Sequence, residues 1–207
     1  MYRHTQNIIG SGTPPPDATQ ALIMLHGRGA SATGIIDLAD HFDLLKTAVF
    51  APQAPNNIWY PFSFMVPVEQ NQPALNSALQ VIDDLIREIV SLGIPTEKIF
   101  FLGFSQGACL ALEYVTRNAA KYAGVVAFTG GLIGDKLNLL NYKGDFENTS
   151  ILITTGDPDP HVPLTRVQES VAALKNLHAN VTLKIYKGRP HTILQEEIEL
   201  ANQIIFK

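Results

Sequence analysis

Cysteine is almost missing from this chain: one thiol, Cys109, in 207 residues. A lone thiol cannot form an internal disulfide, so the fold is expected to rest on its core, and the cytoplasm is the expected location. Long apolar runs are missing too. None approaches the ~20 residues that cross a bilayer, so no stable membrane insertion is expected. The first residues, Met1 to Asn7, lack the apolar stretch of a secretory signal. No cluster of lysine or arginine occurs and the net charge is −4, which argues against nucleic acid as a partner. No cysteine and histidine spacing marks a metal site. Asp37 and His41 stand one turn apart on a helix but lack a third ligand. No repeat, low-complexity tract or linker divides the chain, so a single domain over residues 1–207 is expected.

What is present is alternation. Short apolar runs suited to buried strands occur at Ala21–Leu25, Ala48–Pro52, Ile99–Leu102, Gly124–Phe128 and Ser150–Thr155. Tyr2–Ile9 reads as an opening edge strand ended by Gly10-Ser11-Gly12, and Val181–Tyr186 alternates as an outer strand would. Between them, apolar residues at helical spacing predict helices over Thr33–Phe42, Ala74–Leu92, the stretch after Ser105 to about Lys121, Val167–Leu177 and Leu194–Ile205. Strand alternating with helix predicts an α/β fold, a mostly parallel sheet covered on both faces. Functional groups in such sheets gather outside the carboxyl ends of the strands.

The run Ile99-Phe100-Phe101-Leu102-Gly103-Phe104-Ser105-Gln106-Gly107 organises the rest. It carries Gly103-x-Ser105-x-Gly107, the nucleophile-elbow pattern, with a strand before it and a helix after it. A sharp strand-to-helix turn leaves no room for side chains at the two flanking positions. It lifts the Ser105 hydroxyl above the sheet and aims the first free amides of the helix at the same point. The plainer role for Ser105 is a helix cap. A serine hydroxyl needs a histidine base, and the histidine needs a carboxylate to hold its tautomer. Turns after later strands supply both residue types: Asp157 and Asp159 in one, His191 in the other.

These pieces resemble the carboxylesterase/phospholipase branch of the α/β-hydrolases, which includes acyl-protein thioesterases and lysophospholipases. The matching segments are Leu25-His26-Gly27, Gly103-Phe104-Ser105-Gln106-Gly107, Gly156-x-x-Asp159-x-x-Val162-Pro163 and Gly188-x-x-His191, in order along nearly the whole chain. The resemblance implies Ser105 as nucleophile, Asp159 as the acid in preference to Asp157, and His191 as the base. It departs from thioesterase members at Arg28, where they tend to be apolar, and at Ala108, where many have a glycine. The oxyanion hole of this fold takes the amide after the nucleophile and one from an early strand-to-helix loop, here the backbone N–H of Gln106 and of Arg28. The Arg28 side chain is expected to be a solvated surface group, and the His26 ring is expected to brace its turn. Cys109, one helical turn after Ser105, reads as a small buried residue under the elbow.

The irregular, aromatic-rich stretch Gln53–Pro73 is long for a compact domain, which suggests a functional segment. Within it Trp59, Phe62 and Phe64 are the candidate substrate-binding wall. The expected activity is hydrolysis of a small-molecule carboxylic ester, of short to medium acyl chain or a lysophospholipid, through an acyl-enzyme and without a cofactor. Two alternatives stay open: an acyl-thioesterase of the same fold, and a non-catalytic ligand-binding protein that keeps the hydrolase fold. A homodimer is an arrangement the sequence leaves open.

Overall fold

The computed structural model describes residues 4–206. Its centre is one seven-stranded sheet. The elements run β1 (Ile8–Gly12), β2 (Gln20–Leu25), α1 (Ala32–Ile36), β3 (Thr47–Pro52), α2 (Ala74–Ser91), β4 (Ile99–Phe104), α3 (Gln106–Arg117), β5 (Gly124–Phe128), β6 (Ser150–Asp157), α4 (Leu164–Asn176), β7 (Asn180–Lys187) and α5 (Gln195–Ile204). The sheet order is β1-β3-β2-β4-β5-β6-β7. Strand β1 pairs antiparallel with β3, and every other pairing is parallel. This is the α/β-hydrolase arrangement. Among the described residues no helix is long and apolar enough to cross a membrane.

The central strands are apolar on both faces because both are covered. In β2, Ala21, Ile23 and Leu25 join the core under α2, α3 and α4, while Leu22 and Met24 join the core under α1 and α5. Strand β4 divides the same way: Phe101 faces the first core, Phe100 and Leu102 the second. Helix α2 buries Leu75, Ile82, Leu85, Ile86 and Ile89, one stripe at the spacing that the sequence shows.

Several boundaries differ from the sequence reading, three of them most. Of the expected opening strand, Tyr2 and Arg3 lie outside the described residues. The strand itself begins at Ile8 and includes Gly10-Ser11-Gly12, whose backbone pairs with Phe50, Val49 and Ala48. The helix expected over Thr33–Phe42 is α-helical only to Ile36 and continues as a 3₁₀ helix, Asp37–His41. Gly34 and two β-branched isoleucines are weak helix formers, which suits so short an element. Helix α3 stops at Arg117 rather than near Lys121. Asn118 leaves helical geometry there and its side-chain amide donates to the Tyr114 carbonyl at 3.0 Å.

The turn from β4 into α3 is a tight joint. Ser105 has φ 53° and ψ −115°, a conformation that costs a non-glycine residue of order 1–3 kcal/mol. A Cβ on Gly107 would overlap the carbonyl oxygen of Leu25 in β2, and one on Gly103 would overlap the carbonyl of Gly107. Both obstacles are backbone and cannot step aside. Gly107→Ala is therefore expected to lower stability by about 3 kcal/mol or more, the upper end of overpacking costs. Gly188 also has a positive φ, but a Cβ there meets nothing within 4 Å. Gly188→Ala should cost only ~1–2 kcal/mol. Equal losses for the two variants in denaturant titrations would show that close helix-on-sheet packing does not limit the elbow.

Candidate active site

Three loops leave the carboxyl edge of the sheet and meet there. The elbow brings Ser105. The turn after β6 brings Asp159, and the turn after β7 brings His191. Ser105 Oγ lies 2.8 Å from His191 Nε2, and His191 Nδ1 lies 2.9 Å from Asp159 Oδ2. With Nδ1 donating to the carboxylate, Nε2 is left to accept the serine proton. Asp159 Oδ1 accepts the backbone N–H of His161 and of Val162, each at 2.9 Å. Its side chain is buried. Burial alone would raise its pKa. The hydrogen bonds from His191, His161 and Val162 outweigh that and hold it below the ordinary carboxylate value. Asp157 is exposed at the end of β6 and takes no part in this chain of bonds.

The imidazole of His191 is packed between Phe104, at 5.3 Å between ring centroids, and His161, at 4.9 Å and edge-on. Beneath it lies a buried network. Arg189 pairs with Glu197 of α5 at 3.3 Å, with both side chains essentially inaccessible. Arg189 also donates to the Thr129 hydroxyl and the Thr192 carbonyl, and Thr154 of β6 donates to Glu197. Glu197 further accepts the backbone N–H of Leu194 at 2.8 Å. The loop carrying His191 is thus fastened to the ends of β5 and β6 and to α5.

The segment Tyr60–Phe64 forms one wall of the cleft, and three polar side chains hold it and the adjoining Trp59 by the backbone. The Gln106 side chain accepts from Trp59 N at 3.0 Å and donates to the Tyr60 carbonyl at 2.8 Å. The Arg28 guanidinium donates to the carbonyls of Tyr60, Pro61 and Phe62 at 2.8, 2.9 and 2.7 Å. Asn71, buried, accepts from Phe62 N and donates to the Ser63 carbonyl, both at 2.9 Å. Arg28 is therefore not the solvated surface group expected from the sequence. It is exposed, but its planar fork is spent on the strap. The backbone amides of Arg28 and Gln106 stand at the two expected loops, and Gln106 opens α3, where amides have no partner within the helix.

The cleft has a volume of about 490 Å³ and is lined by Ser105, His191, Phe62, Phe64, Tyr60 and Cys109 among others. Phe62 sits on the rim, 54% exposed, and Phe64 lies deeper. Trp59, expected as part of this wall, is not: it is wholly buried behind it. Its indole N–H donates to the His26 carbonyl at 2.9 Å and its ring packs 5.0 Å from the His26 ring. A large ring with a polar tip is buried where that tip finds an acceptor. His26 braces the turn as expected: Nδ1 lies 2.8 Å from the Gly27 carbonyl, and Nε2 accepts from Ala54 N at 3.1 Å. Burial lowers its pKa, so the neutral ring is favoured. Cys109 is also buried, and desolvation pushes its thiol up to about 12, far from the range of reactive thiols.

The site residues that the sequence reading missed are Gln106 as a side chain, Asn71 and the Arg189–Glu197 pair. Gln106 carried a signal, since it lies inside the five-residue elbow pattern. Asn71 with its partners, and Arg189 with Glu197, are eight or nine residues apart, a separation that no helix or strand period marks.

Comparison with known proteins follows the same lines. The fold is that of an α/β-hydrolase. Residues 7–207 match the model of the Phospholipase/Carboxylesterase family, and the chain belongs to this family of serine hydrolases. A crystal structure of a phospholipase/carboxylesterase from Dyadobacter fermentans DSM 18053 is 57% identical, with a TM-score of 0.98 over 100% of this chain and 99% of that one. Acyl-protein thioesterase 1 of Saccharomyces cerevisiae is 27% identical, over 88% of this chain and 89% of its own. Lysophospholipase-like protein 1 of Mus musculus is 30% identical, over 90% and 86%.

Two outcomes follow from the geometry. Glu197→Leu strands the Arg189 guanidinium in the interior and should cost about 3–5 kcal/mol in denaturant unfolding; a loss under 1 kcal/mol would mean the loop is held otherwise. Asp159 has a depressed folded pKa, so its contribution to stability is complete above the unfolded value of about 4 and fades as pH falls through the folded one. Asp159→Asn should therefore flatten the acid limb of the stability profile. An unchanged acid limb would count against the carboxylate's bonds.

Proposed function

We propose that the protein hydrolyses carboxylic esters of short to medium acyl chain, with Ser105 as nucleophile, His191 as base and Asp159 as the acid that steadies it. The observation that carries this reading is the unbroken path Asp159–His191–Ser105, with contacts of 2.9 and 2.8 Å at the edge of a cleft.

Ser105 Oγ attacks the ester carbonyl as His191 Nε2 takes its proton. Charge builds on the carbonyl oxygen, and the amides of Gln106 and Arg28 receive it. Removing one such donor typically slows a reaction by about a hundred- to a thousand-fold. The imidazolium then passes its proton to the leaving alkoxide, and Asp159 stabilises the cation in the meantime. Water, deprotonated by His191, attacks the acyl-enzyme and releases the acid. No cofactor enters these steps.

An acyl-thioesterase would use the same residues, and two of the relatives are named for acyl-thioester or lysophospholipid substrates. The cleft favours smaller esters. Its volume is about 490 Å³ and its wall is pinned by Arg28, Gln106 and Asn71, which leaves little freedom to open for a long chain. A purely ligand-binding role would leave the aligned hydroxyl, imidazole and carboxylate without a purpose.

Ser105→Ala is expected to abolish labelling by a fluorophosphonate and to lower kcat on a short-chain aryl ester by about a million-fold, the scale seen when a triad nucleophile is removed. A panel of short and long acyl esters and acyl thioesters should show the highest kcat/KM on the short esters. Folded protein that resists the fluorophosphonate, or a panel led by long-chain thioesters, would contradict the proposal.

A further inference from the structure

The cleft at Ser105 is one-sided in charge. Arg28, His161 and His191 line it together with the nucleophile, and among the described residues no aspartate or glutamate does. The carboxylate of Asp159 has no exposed surface and is already taken by His191 and two backbone amides. The chain as a whole carries a net charge of −4, so the basic lining is a local feature. Arg28 is its permanent charge. The guanidinium shares the Tyr60 carbonyl with the Gln106 side chain, and Gln106 follows Ser105 directly. Three of its five N–H groups hold the carbonyls of Tyr60, Pro61 and Phe62. Carbonyls are neutral, so the positive charge remains. Among the described residues no carboxylate forms an ion pair with Arg28. The Nε–H and the second Nη1–H have no acceptor there either. The residue is exposed, and so are its bonds to Pro61 and Phe62, which leaves it open to a ligand. An arginine that grips a ligand ordinarily loses rotamer freedom in doing so. Here three bonds have fixed the side chain beforehand, which lowers that cost.

Building on the proposed hydrolysis at Ser105, we infer that the cleft takes esters that carry an anionic group, a carboxylate held against the Arg28 guanidinium. The ester carbonyl sits at the amides of Gln106 and Arg28, so the Arg28 side chain stands beside the bound substrate. One residue then serves two charges. Its amide meets the charge that develops on the carbonyl oxygen, and its guanidinium meets a charge that is present throughout. The second contact is equal in ground and transition states, so it lowers KM rather than raising kcat. The carboxylate belongs either to the acyl half, as in a half-ester of a dicarboxylic acid, or to the alcohol half; Arg28 reads the same chemistry in both.

The test has two arms. The first compares phenyl half-esters of glutaric, adipic and pimelic acid with the matched dimethylamides, which are neutral. The second compares the butanoyl ester of 3-hydroxybenzoate with that of its dimethylamide. Uncatalysed rates are subtracted, and each rate is divided by that ester's own rate of alkaline hydrolysis. At low ionic strength the anionic member of at least one pair should lead in kcat/KM by about tenfold or more, the scale of one charge-assisted hydrogen bond, with the gain in KM. The lead should shrink between ionic strengths of about 0.01 and 1 M, as the screening length falls from ~30 to ~3 Å. Arg28→Met should bring the ratio within twofold of one. Loosening of the strap alone would slow both members of a pair and leave their ratio unchanged. Arg28→Lys keeps the charge without the fork and should retain more of the lead than Arg28→Met. Ratios at or below one in both arms of the unmodified enzyme overturn the inference, even if neither variant folds. So does a lead that survives Arg28→Met, or one lost equally in both variants. Fluorophosphonate labelling of Ser105 separates the two levels: labelled, active enzyme with flat ratios sinks only the selection by Arg28, while inert, unlabelled enzyme sinks the hydrolase reading as well.

Discussion

Helix α3 crosses β2 and β4 at backbone-to-backbone distance, and the rest of the site depends on that closeness. Gly107 has its hydrogen against the Leu25 carbonyl, and Gly103 sits against Gly107 itself. A helix that close to the sheet forces the connecting residue into a strained conformation, and Ser105 takes it. The Ser105 amide is tied to the Phe128 carbonyl of β5 at 3.0 Å, and its own carbonyl accepts from Cys109 N at 2.9 Å. Neighbouring strand and following helix together over-determine the turn, which is how such strain persists in a folded chain.

Around this fixed point the remaining groups are positioned by polar fastenings. Two bonds from backbone amides aim the Asp159 carboxylate. A buried ion pair and two threonine hydroxyls secure the loop of His191. Arg28, Gln106 and Asn71 hold the cleft wall by its carbonyls and amides. Loops are ordinarily the mobile part of such a fold. Here each loop that reaches the cleft is sewn to a strand end or a helix, which suits chemistry that tolerates displacements well under 1 Å.

The alternating strands and helices were legible because periodicity reports burial, and both faces of the sheet are buried. Ser105, Asp159 and His191 were legible because each stands in a turn with its own local pattern: glycines around the serine, proline and glycine around the acid, Gly188-x-x-His191 before the last helix. The wall was harder to read. Trp59 and Phe64 look alike in a list of aromatics, yet the structure buries the first behind His26 and turns the second into the cleft. What separates them is the indole N–H, which finds the His26 carbonyl, a partner 33 residues away. Arg28 poses the same problem. Its three carbonyl partners lie 32 to 34 residues further on, so nothing beside it in the chain marks it as a buckle rather than a surface charge.

The central claim is that the hydroxyl, imidazole and carboxylate act as one unit facing two backbone amides. A crystal structure of the protein after reaction with an aryl phosphonate tests it most directly, because the adduct mimics the tetrahedral intermediate. The account predicts phosphorus bonded to Ser105 Oγ, the phosphoryl oxygen within hydrogen-bond distance of the Gln106 and Arg28 amides, and His191 still bridging toward Asp159. Phosphorus on another residue, or a phosphoryl oxygen turned away from both amides, would contradict it.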